Sequence, residues 1–414
     1  MLGRETRAKG GLLERWRGTP LYLRIIGAVA LGVAVGLGLG EQAGALEAPA
    51  KLVLRVLGAL APPLILLAIM QALMRAHLGG RQALRLVALL LTNTLVAILI
   101  GLAVANVIRP GAWSSVAPSA APAKAAAAAA DPLAQLLDSV PRSLVEPFSD
   151  NGAVMGVIFI AVAFGIALRG LRNHEVRTVE DLVHVALTSL VTILHWIIDL
   201  VPLAVFGIVA SIVGVKGFRD FVALGGFVVA VLLALALQAL YYAARVRLGS
   251  WVSPVDLLRG TRDALLMAFS TGSSTATMPV TYERLRENVG LREQSASMGA
   301  LVGSNFNNDG TALYEAMSAL FVAQLLGLQL SLGQQFTVVL TSVIASVGAA
   351  GIPEAGLVTM TMVFRAVALP TDYIALLLTV DWLLDRCRTT INVMGDMTVA
   401  CLLDGKTRER TSSS

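Results

Sequence analysis

The residues best suited to chemistry are concentrated near the C-terminus, in the stretch DWLLDRCRTTINVMGDMT at 381–398. It combines carboxylates, arginines and an asparagine with bulky apolar residues, and it predicts a helix. At about 100° per residue, a stripe roughly 80 to 100° wide carries most of its polar groups. These are Asp381, Asp385, Arg388, Thr389, Asn392 and Asp396. Lipid cannot satisfy such groups, so the stripe predicts a polar site inside a membrane.

The chemistry of this stripe suits a zwitterion and a small cation. Arg388 carries a planar fork that can hold a carboxylate through two hydrogen bonds, and Asp385, one turn earlier, can face an ammonium group. Asn392 and Asp396 offer oxygens hard enough for a small cation. The alternative is a salt-bridge ladder between Asp385 and Arg388 that only fastens helices together. Such a ladder is a costly way to join helices in lipid, which favours a binding site.

The composition indicates a polytopic membrane protein. Of 414 residues, 56% are hydrophobic and 14% are charged, against about 25% charged in a soluble domain. The net charge of +5 comes from short basic clusters between apolar runs, as in cytoplasmic loops, so we expect a lipid environment and no nucleic acid. Cys387 and Cys401 fall in apolar sequence and predict buried thiols. We expect a multi-pass protein of the cell membrane, with both termini cytoplasmic.

Apolar runs long enough to cross a roughly 30 Å core divide the chain into segments. We expect a basic tail at 1–18, membrane spans within 19–80, 81–108 and 151–216, an extracellular low-complexity loop at 109–150, and further membrane segments within 217–410. The first of these further segments, about 219–246, ends in Arg245 and Arg247, which we expect on the cytoplasmic side. In the span at 81–108, Thr92, Asn93 and Thr94 form a small polar cluster. This cluster can either join helices by hydrogen bonds or contribute to a site.

Two segments within 217–410 are expected to enter the membrane and leave on the same side. The first, about 255–288, has a hydroxyl-rich turn and flanking arginines, and the second, about 333–368, has SVGAAGIPEAG at its tip and almost no flanking positive charge. Between them, the helix at about 291–327 should be broken at Asn307 and Asn308, which frees carbonyls for an ion. The final helix covers about 372–404. Opposed hairpins of this kind predict inverted repeats with a site at the membrane midplane.

The predicted fold is therefore an all-α polytopic membrane protein with eight transmembrane helices and two opposed re-entrant helical hairpins. Its motifs resemble those of the glutamate/aspartate transporter family, the dicarboxylate/amino acid:cation symporters, and we expect a bacterial-type member. The matching motifs, in family order, are GSSTATMPVT, NNDGTALYEA, GAAGIPEAGLVTM and DWLLDRCRTTINVMGD. The resemblance covers nearly the whole chain outside 109–150. It implies an elevator-type homotrimer that takes up acidic amino acids with sodium by alternating access. It also implies a scaffold formed by the spans at 19–80 and 151–216, and a transport domain formed by the span at 81–108 and by 217–410.

The resemblance also implies a substrate pocket. Arg388 would hold the substrate's side-chain carboxylate and Asp385 its amino group. The other implied lining residues are Thr311, Thr389, Asn392, Ser273, Ser274, Ile352 and Gly356. An unpaired guanidinium in a desolvated site is costly, so Arg388 favours aspartate or glutamate over neutral amino acids. Simple dicarboxylates bring no ammonium group for Asp385.

Three sodium sites are implied in the same way. They consist of Asp396 with the carbonyls of Gly303, Asn307 and Asn392; the carbonyls of Asn305, Ser346, Val347 and Ala349; and Thr92, Asn93, Asn307 and Asp309. The chain departs from the family pattern at Asn308, where a methionine is usual, at Leu89, where an aromatic is usual, and at Asn93, where a serine is usual. The number and identity of the cations therefore stay open. Glu315 matches a glutamate linked to proton carriage in animal members, although a satisfied polar contact explains it equally well.

Other functions remain as alternatives. A proton-coupled carrier of glutamate or C4-dicarboxylates would use similar elements, and Asn308 favours it somewhat. An intramembrane hydrolase would need a nucleophile and a base; Ser273 and His195 are the candidates, but no triad-like motif joins them, so we expect no enzyme. A channel would need a continuous lined pore, whereas hairpin tips that meet suggest occlusion.

Overall fold

The computed structural model describes residues 19, 21–47, 66–67, 70, 80–113, 146–149, 154, 156–158, 161–162, 179, 181–183, 199–216, 219–348 and 355–407. Within these residues all regular secondary structure is helical, in agreement with the expected all-α class. Several predictions fall outside the described residues. These are the tail at 1–18, most of the spans at 48–79 and 150–198, most of the loop at 109–150, and the site candidates Ala349 and Ile352.

The labels α1 to α12 number the helices within the described residues. They are α1 (Leu21–Leu39), α2 (Gly80–Ile108), α3 (Val201–Lys216), α4 (Arg219–Gly249), α5 (Pro254–Thr271), α6 (Ser274–Arg284), α7 (Glu293–Ala296), α8 (Gly303–Phe306), α9 (Asp309–Leu325), α10 (Leu332–Gly348), α11 (Ala355–Ala366) and α12 (Ile374–Asp404). Short 3-10 helices cover Gly40–Glu47, Pro110–Trp113, Glu146–Phe148 and Thr371–Tyr373, and π-helical turns cover Leu285–Val289 and Ser297–Val302.

Three described helical segments are long and apolar enough to cross a membrane. They are Leu23–Leu46, Leu84–Trp113 and Ala223–Gly249, and each coincides with a run that the sequence predicts as a span. Val201–Val215 and Leu332–Val347 are shorter apolar helices. These lengths agree with a helical membrane transporter.

Helices α5 and α6 pack against each other around a sharp turn that the sequence specifies locally. Ser253 caps the start of α5 by accepting a hydrogen bond from the Asp256 N–H at 3.1 Å. The helix ends at Gly272, whose φ of +65° suits a residue without a side chain. Ser273 then caps α6 by accepting from the Ala276 N–H at 3.1 Å. Two helices therefore reverse direction within two residues.

The chain is interrupted where the sequence predicts a broken helix. α8 ends at Phe306, Asn307 and Asn308 have non-helical backbone angles, and α9 begins at Asp309. α9 is buried along almost its whole length and packs on α2, α10 and α12. Its first turn lies so close to α12 that a Cβ atom at Gly310 would be 2.7 Å from the Arg388 carbonyl oxygen. The interruption is thereby held against the polar stripe of α12.

α12 is the element on which the candidate site is assembled. It is 31 residues long and packs on α4, α5 and α9. Its polar stripe points inward: Asp381, Arg388, Asn392 and Asp396 are all buried. Elsewhere α1 packs on α3, and Arg24 of α1 pairs with Asp199 at 3.0 Å.

Candidate functional site

The centre of the site is the guanidinium of Arg388. It is fully buried and donates from Nη1 to Asp381 Oδ1 at 2.7 Å and from Nη2 to Asp385 Oδ1 at 2.8 Å. The two carboxylates differ in access to solvent, because the Asp381 side chain is 2% exposed and that of Asp385 is 14% exposed. Asp381 is thus the deeper counter-ion, and Asp385 is the one that a small molecule can reach.

Two more elements close around this guanidinium. Its Cζ lies 4.0 Å from the ring centroid of Tyr314 on α9, a distance at which cation and ring attract each other. On the other side, a Cβ atom at Gly356 of α11 would lie 3.6 Å from Arg388 Nη2 and 3.0 Å from Thr311 Cγ2. The glycine therefore leaves room beside the charged groups.

The turn between α5 and α6 reaches the same place. A Cβ atom at Gly272 would lie 3.1 Å from Asp385 Oδ2. Ser273 and Ser274 are buried beside it, and the Ser274 hydroxyl donates to the Ser304 carbonyl at 3.3 Å. The turn predicted to contribute to the pocket is therefore adjacent to the carboxylate predicted to bind the ammonium group.

Asn392 connects the broken helix to α12. Its Oδ1 accepts from the Gly310 N–H at 2.8 Å, and its Nδ2 donates to Asn308 Oδ1 at 3.3 Å and to Thr311 Oγ1 at 3.4 Å. Thr389, one turn earlier, is also buried. Thr389 and Asn392 thus lie within about one turn of Arg388 on α12, and Thr311 of α9 contacts Asn392.

Asn308 extends the connection to α10. Its Nδ2 donates to the Ser346 carbonyl oxygen at 2.9 Å. Ser346 belongs to the last turn of α10, whose carbonyls have no partner within the helix. Ser346 and the neighbouring Val347 were predicted to supply carbonyl oxygens to a sodium ion, together with Asn305 of α8. In this structure a protein N–H group occupies one of those oxygens.

A second polar cluster surrounds Asp396. Asn307 Nδ2 donates to the Asn392 carbonyl and to Asp396 Oδ1, both at 3.0 Å. Asn307 Oδ1 is buried and has no hydrogen-bond partner among the residues that the structure describes. A Cβ atom at Gly303 would lie 2.8 Å from Asp396 Oδ1. All four residues predicted for the first sodium site thus converge on one buried place.

The residues predicted for the third sodium site do not all come together. Asp309 is buried and accepts hydrogen bonds from Thr94 Oγ1 at 2.6 Å and from the Tyr242 hydroxyl. Thr92 is exposed and donates to the Ala88 carbonyl of its own helix at 2.6 Å. Thr92 therefore lies away from Asp309, because residues two apart lie about 200° apart on a helix and Thr94 has the inward position. The place of Thr92 in a sodium site stays a prediction.

Asn93, on the same helix, is held by α4. Its Oδ1 accepts a hydrogen bond from Arg245 Nη1, and its carbonyl oxygen accepts one from Gln238 Nε2 at 3.4 Å. The sequence predicted Arg245 only as a cytoplasmic charge after a span, whereas the structure turns it inward.

Glu315, the possible proton carrier, lies next to the pocket on α9. It is fully buried, and its Oε1 accepts a hydrogen bond from the Thr359 hydroxyl of α11. Within the described part of the chain, its Oε2 has no hydrogen-bond partner. The contact joins α9 to α11 one turn away from Gly356.

Sequence reasoning missed several residues of the site. Tyr314 and Tyr242 belong to no polar pattern in the sequence. Arg386 lies on the final helix but outside its polar stripe. Arg386 donates to the Phe269 carbonyl at 2.9 Å and to the Ser270 carbonyl, and so caps the end of α5 next to the turn. The signal that could have found Arg386 was its place in the sequence, directly after the predicted site residue Asp385.

Comparison with known proteins identifies the family. The model of the sodium:dicarboxylate symporter family matches residues 21–406. Excitatory amino acid transporter 1 of Ambystoma tigrinum is 30% identical over 433 residues, which covers 88% of this chain and 78% of that protein. Excitatory amino acid transporter 4 of Mus musculus is 37% identical over 281 residues, and transporter 3 of the same species is 38% identical over 259 residues.

The chain belongs to the sodium:dicarboxylate symporter family, the family of the glutamate/aspartate transporters, as the four motifs indicated. It is a membrane transporter of that class rather than an enzyme. The alignments with the two mouse proteins cover 64% and 61% of this chain but only 48% and 49% of those proteins, so the chain spans about half their length. His195, the base of the hydrolase alternative, lies outside the described residues.

Proposed function

We propose that this protein takes up aspartate or glutamate together with sodium ions by alternating access. The observation that carries the proposal is the buried Arg388, which is paired with one deep carboxylate and one accessible carboxylate. A site that holds opposite charges next to each other offers complementary partners to both ends of a zwitterion.

Substrate binding would exchange partners without leaving a buried charge unpaired. The side-chain carboxylate of aspartate takes the place of Asp385 on Nη2 of Arg388, and Asp385 receives the ammonium group. Asp381 remains on Nη1 because it is almost completely buried. Thr311, Thr389, Asn392 and the turn at Ser273 and Ser274 complete the pocket, with Gly356 leaving space for the substrate. A neutral amino acid cannot make this exchange, since it brings no second carboxylate.

The cluster around Asp396 is the proposed principal sodium site. Asp396 Oδ1 and the Asn392 carbonyl both lie 3.0 Å from Asn307 Nδ2, so two oxygens already point at one place. Turning the amide of Asn307 would present its unpartnered Oδ1 to the same oxygens, an arrangement that requires a cation among them. The site shares Asn392 with the substrate pocket, which couples cation binding to substrate binding.

The larger arrangement that we propose is the one that the family resemblance implies. The pairs α5/α6 and α10/α11 act as opposed re-entrant hairpins, and α2, α4 and the rest of 217–410 form the moving transport domain. The spans at 19–80 and 151–216 form the scaffold of a homotrimer in the cell membrane, with both termini in the cytoplasm. The transport domain moves only after α10 and α11 have closed over the substrate. The substrate is therefore never in a pore that is open to both sides, as it would be in a channel.

One observation favours a second candidate, a proton-coupled carrier of glutamate or C4-dicarboxylates. Asn308 Nδ2 occupies the Ser346 carbonyl, which belongs to the second implied sodium site. Glu315, which is buried and whose Oε2 has no partner among the described residues, would be the proton carrier. Binding titrations of aspartate, glutamate, succinate and alanine, with and without sodium, separate the candidates. Sodium-dependent binding limited to aspartate and glutamate is expected; binding of succinate without sodium would support the second candidate.

A further inference from the structure

The third cluster, around Asn93 and Asp309, differs chemically from the cluster around Asp396. One face of α4 presents Gln238, Tyr242 and Arg245, which are four and then three residues apart and so lie above one another. Each of them donates a hydrogen bond into the cluster: Gln238 and Arg245 to Asn93, and Tyr242 to Asp309. One face of α4 therefore directs three hydrogen-bond donors at Asn93 and Asp309.

These donors occupy the oxygens that a cation would need. Both oxygens of Asn93 and both carboxylate oxygens of Asp309 accept hydrogen bonds, the last from Thr94 and Tyr242. A sodium ion is held by oxygen lone pairs that converge on it, and it is repelled by N–H groups and by a guanidinium. The arrangement does not fit a sodium ion.

Charge balance gives the same result. Asp309 is fully buried, and a buried carboxylate requires a positive partner. Arg245 is half-buried, and its Cζ lies 5.7 Å from the centroid of the Tyr241 ring. It donates to Asn93, and the next residue, Thr94, donates to Asp309 Oδ1 at 2.6 Å, so the guanidinium lies in the same cluster as the carboxylate. A guanidinium stays protonated at any pH the protein meets.

We infer that Arg245 is a tethered cation that takes the place of a sodium ion beside Asn93 and Asp309, so this cluster binds no transported cation. The inference rests on the proposed sodium-coupled function and specifies which of its cation sites is used. Because the charge is covalently attached, it stays with the protein in every step of the cycle. Arg245 thereby lowers the number of sodium ions coupled to each substrate.

The test compares Arg245→Gln with Arg245→Lys and Arg247→Gln. Arg247, two residues further on α4, is exposed and serves as the matched control for loss of one positive charge. Aspartate dissociation constants are measured on the purified full-length protein at a series of sodium concentrations. Without the tethered charge, Asp309 should bind a sodium ion. The slope of log Kd against log sodium concentration should then steepen by about one, which means that each tenfold rise in sodium lowers the aspartate Kd by about tenfold more than in the unmodified protein.

The control variants Arg245→Lys and Arg247→Gln should keep the slope of the unmodified protein, and Arg245→Gln combined with Asp309→Asn should lose the added slope. An unchanged slope in Arg245→Gln overturns the inference. If that variant does not bind aspartate, the same comparison is made with the sodium-dependent rise in its unfolding temperature, where equal rises in variant and unmodified protein overturn it. If aspartate binding to the unmodified protein does not depend on sodium, that result contradicts the proposed function. A sodium dependence that appears only in Arg245→Gln would still support the tethered cation.

Discussion

Arg388 donates to Asp385 one turn earlier on the same helix, at 2.8 Å, and this pair lies at the accessible edge of an otherwise buried charge cluster. A charge pair that only joined helices would have no need of access, whereas a pair that opens for a zwitterion requires it. The hydrogen bond between Arg388 and Asp385 alone does not decide between the two, because a salt-bridge ladder that only joins helices would contain it too. The greater exposure of Asp385 than of Asp381 is what favours exchange with a ligand.

Replacing Arg388 should remove the recognition of acidic substrates. Arg388→Cys is expected to weaken aspartate binding by at least about 30-fold, since one buried charged contact contributes about 2 to 5 kcal/mol. Some neutral amino-acid binding can remain, because the smaller side chain leaves an apolar space. Calorimetric titration with aspartate and alanine measures both effects. Unchanged aspartate affinity in a folded variant would remove Arg388 from the pocket.

The two carboxylates that flank Arg388 should differ in role. Asp385→Asn is expected to weaken binding of amino acids that carry an ammonium group while the unfolding temperature changes little. Asp381→Asn should mainly lower the unfolding temperature, because loss of the deeper partner of a buried charge is destabilising by up to about 3 to 5 kcal/mol. Thermal unfolding and aspartate titration are compared for both variants. If Asp381→Asn mainly weakens binding and Asp385→Asn mainly lowers the unfolding temperature, then Asp381 is the ligand partner and Asp385 the structural one.

Gly356 should set the space available to the substrate side chain. A Cβ atom there would lie 3.0 Å from Thr311 Cγ2, so Gly356→Ala narrows the pocket at a cost of about 1 to 3 kcal/mol. Glutamate, which is longer by one methylene group, should lose more affinity than aspartate. The control is Gly333→Ala at the exposed start of α10, where the added atom would be 3.9 Å from Ser331 Oγ. Equal losses for both substrates would place Gly356 outside the pocket.

Asn308 should influence the dependence on cations. Asn308→Met removes the N–H that occupies the Ser346 carbonyl, and a buried carbonyl without a partner costs about 1 to 3 kcal/mol. We expect weaker aspartate binding at low sodium and recovery at high sodium, as a cation replaces the lost donor. Asn288→Met, at an exposed asparagine that contacts Gly260, is the control. Weakening that is equal at all sodium concentrations would mean that no cation reaches Ser346.

The polar stripe and the helix break were predictable because they follow local rules. Charged residues spaced by one turn in 381–396 must face protein, and the consecutive residues Asn307, Asn308, Asp309 and Gly310 disfavour a continuous helix in an apolar run. The inward position of Thr94 rather than Thr92 was not predictable, because a polar cluster of three consecutive residues covers most of a helix circumference. Arg245 was placed in the cytoplasm because positive charge normally marks the end of a span. Only the packing of α4 on α2 shows that Arg245 meets Asn93 while Arg247 does not.

The most direct measurement of the central claim is uptake of labelled aspartate into proteoliposomes that contain the purified protein. An inward sodium gradient is applied with equal pH on both sides, and a parallel sample receives a proton gradient without sodium. We predict saturable accumulation of aspartate driven by the sodium gradient alone, and its loss in Arg388→Cys. Accumulation driven only by the proton gradient, or equal uptake with no gradient, would contradict sodium-coupled transport.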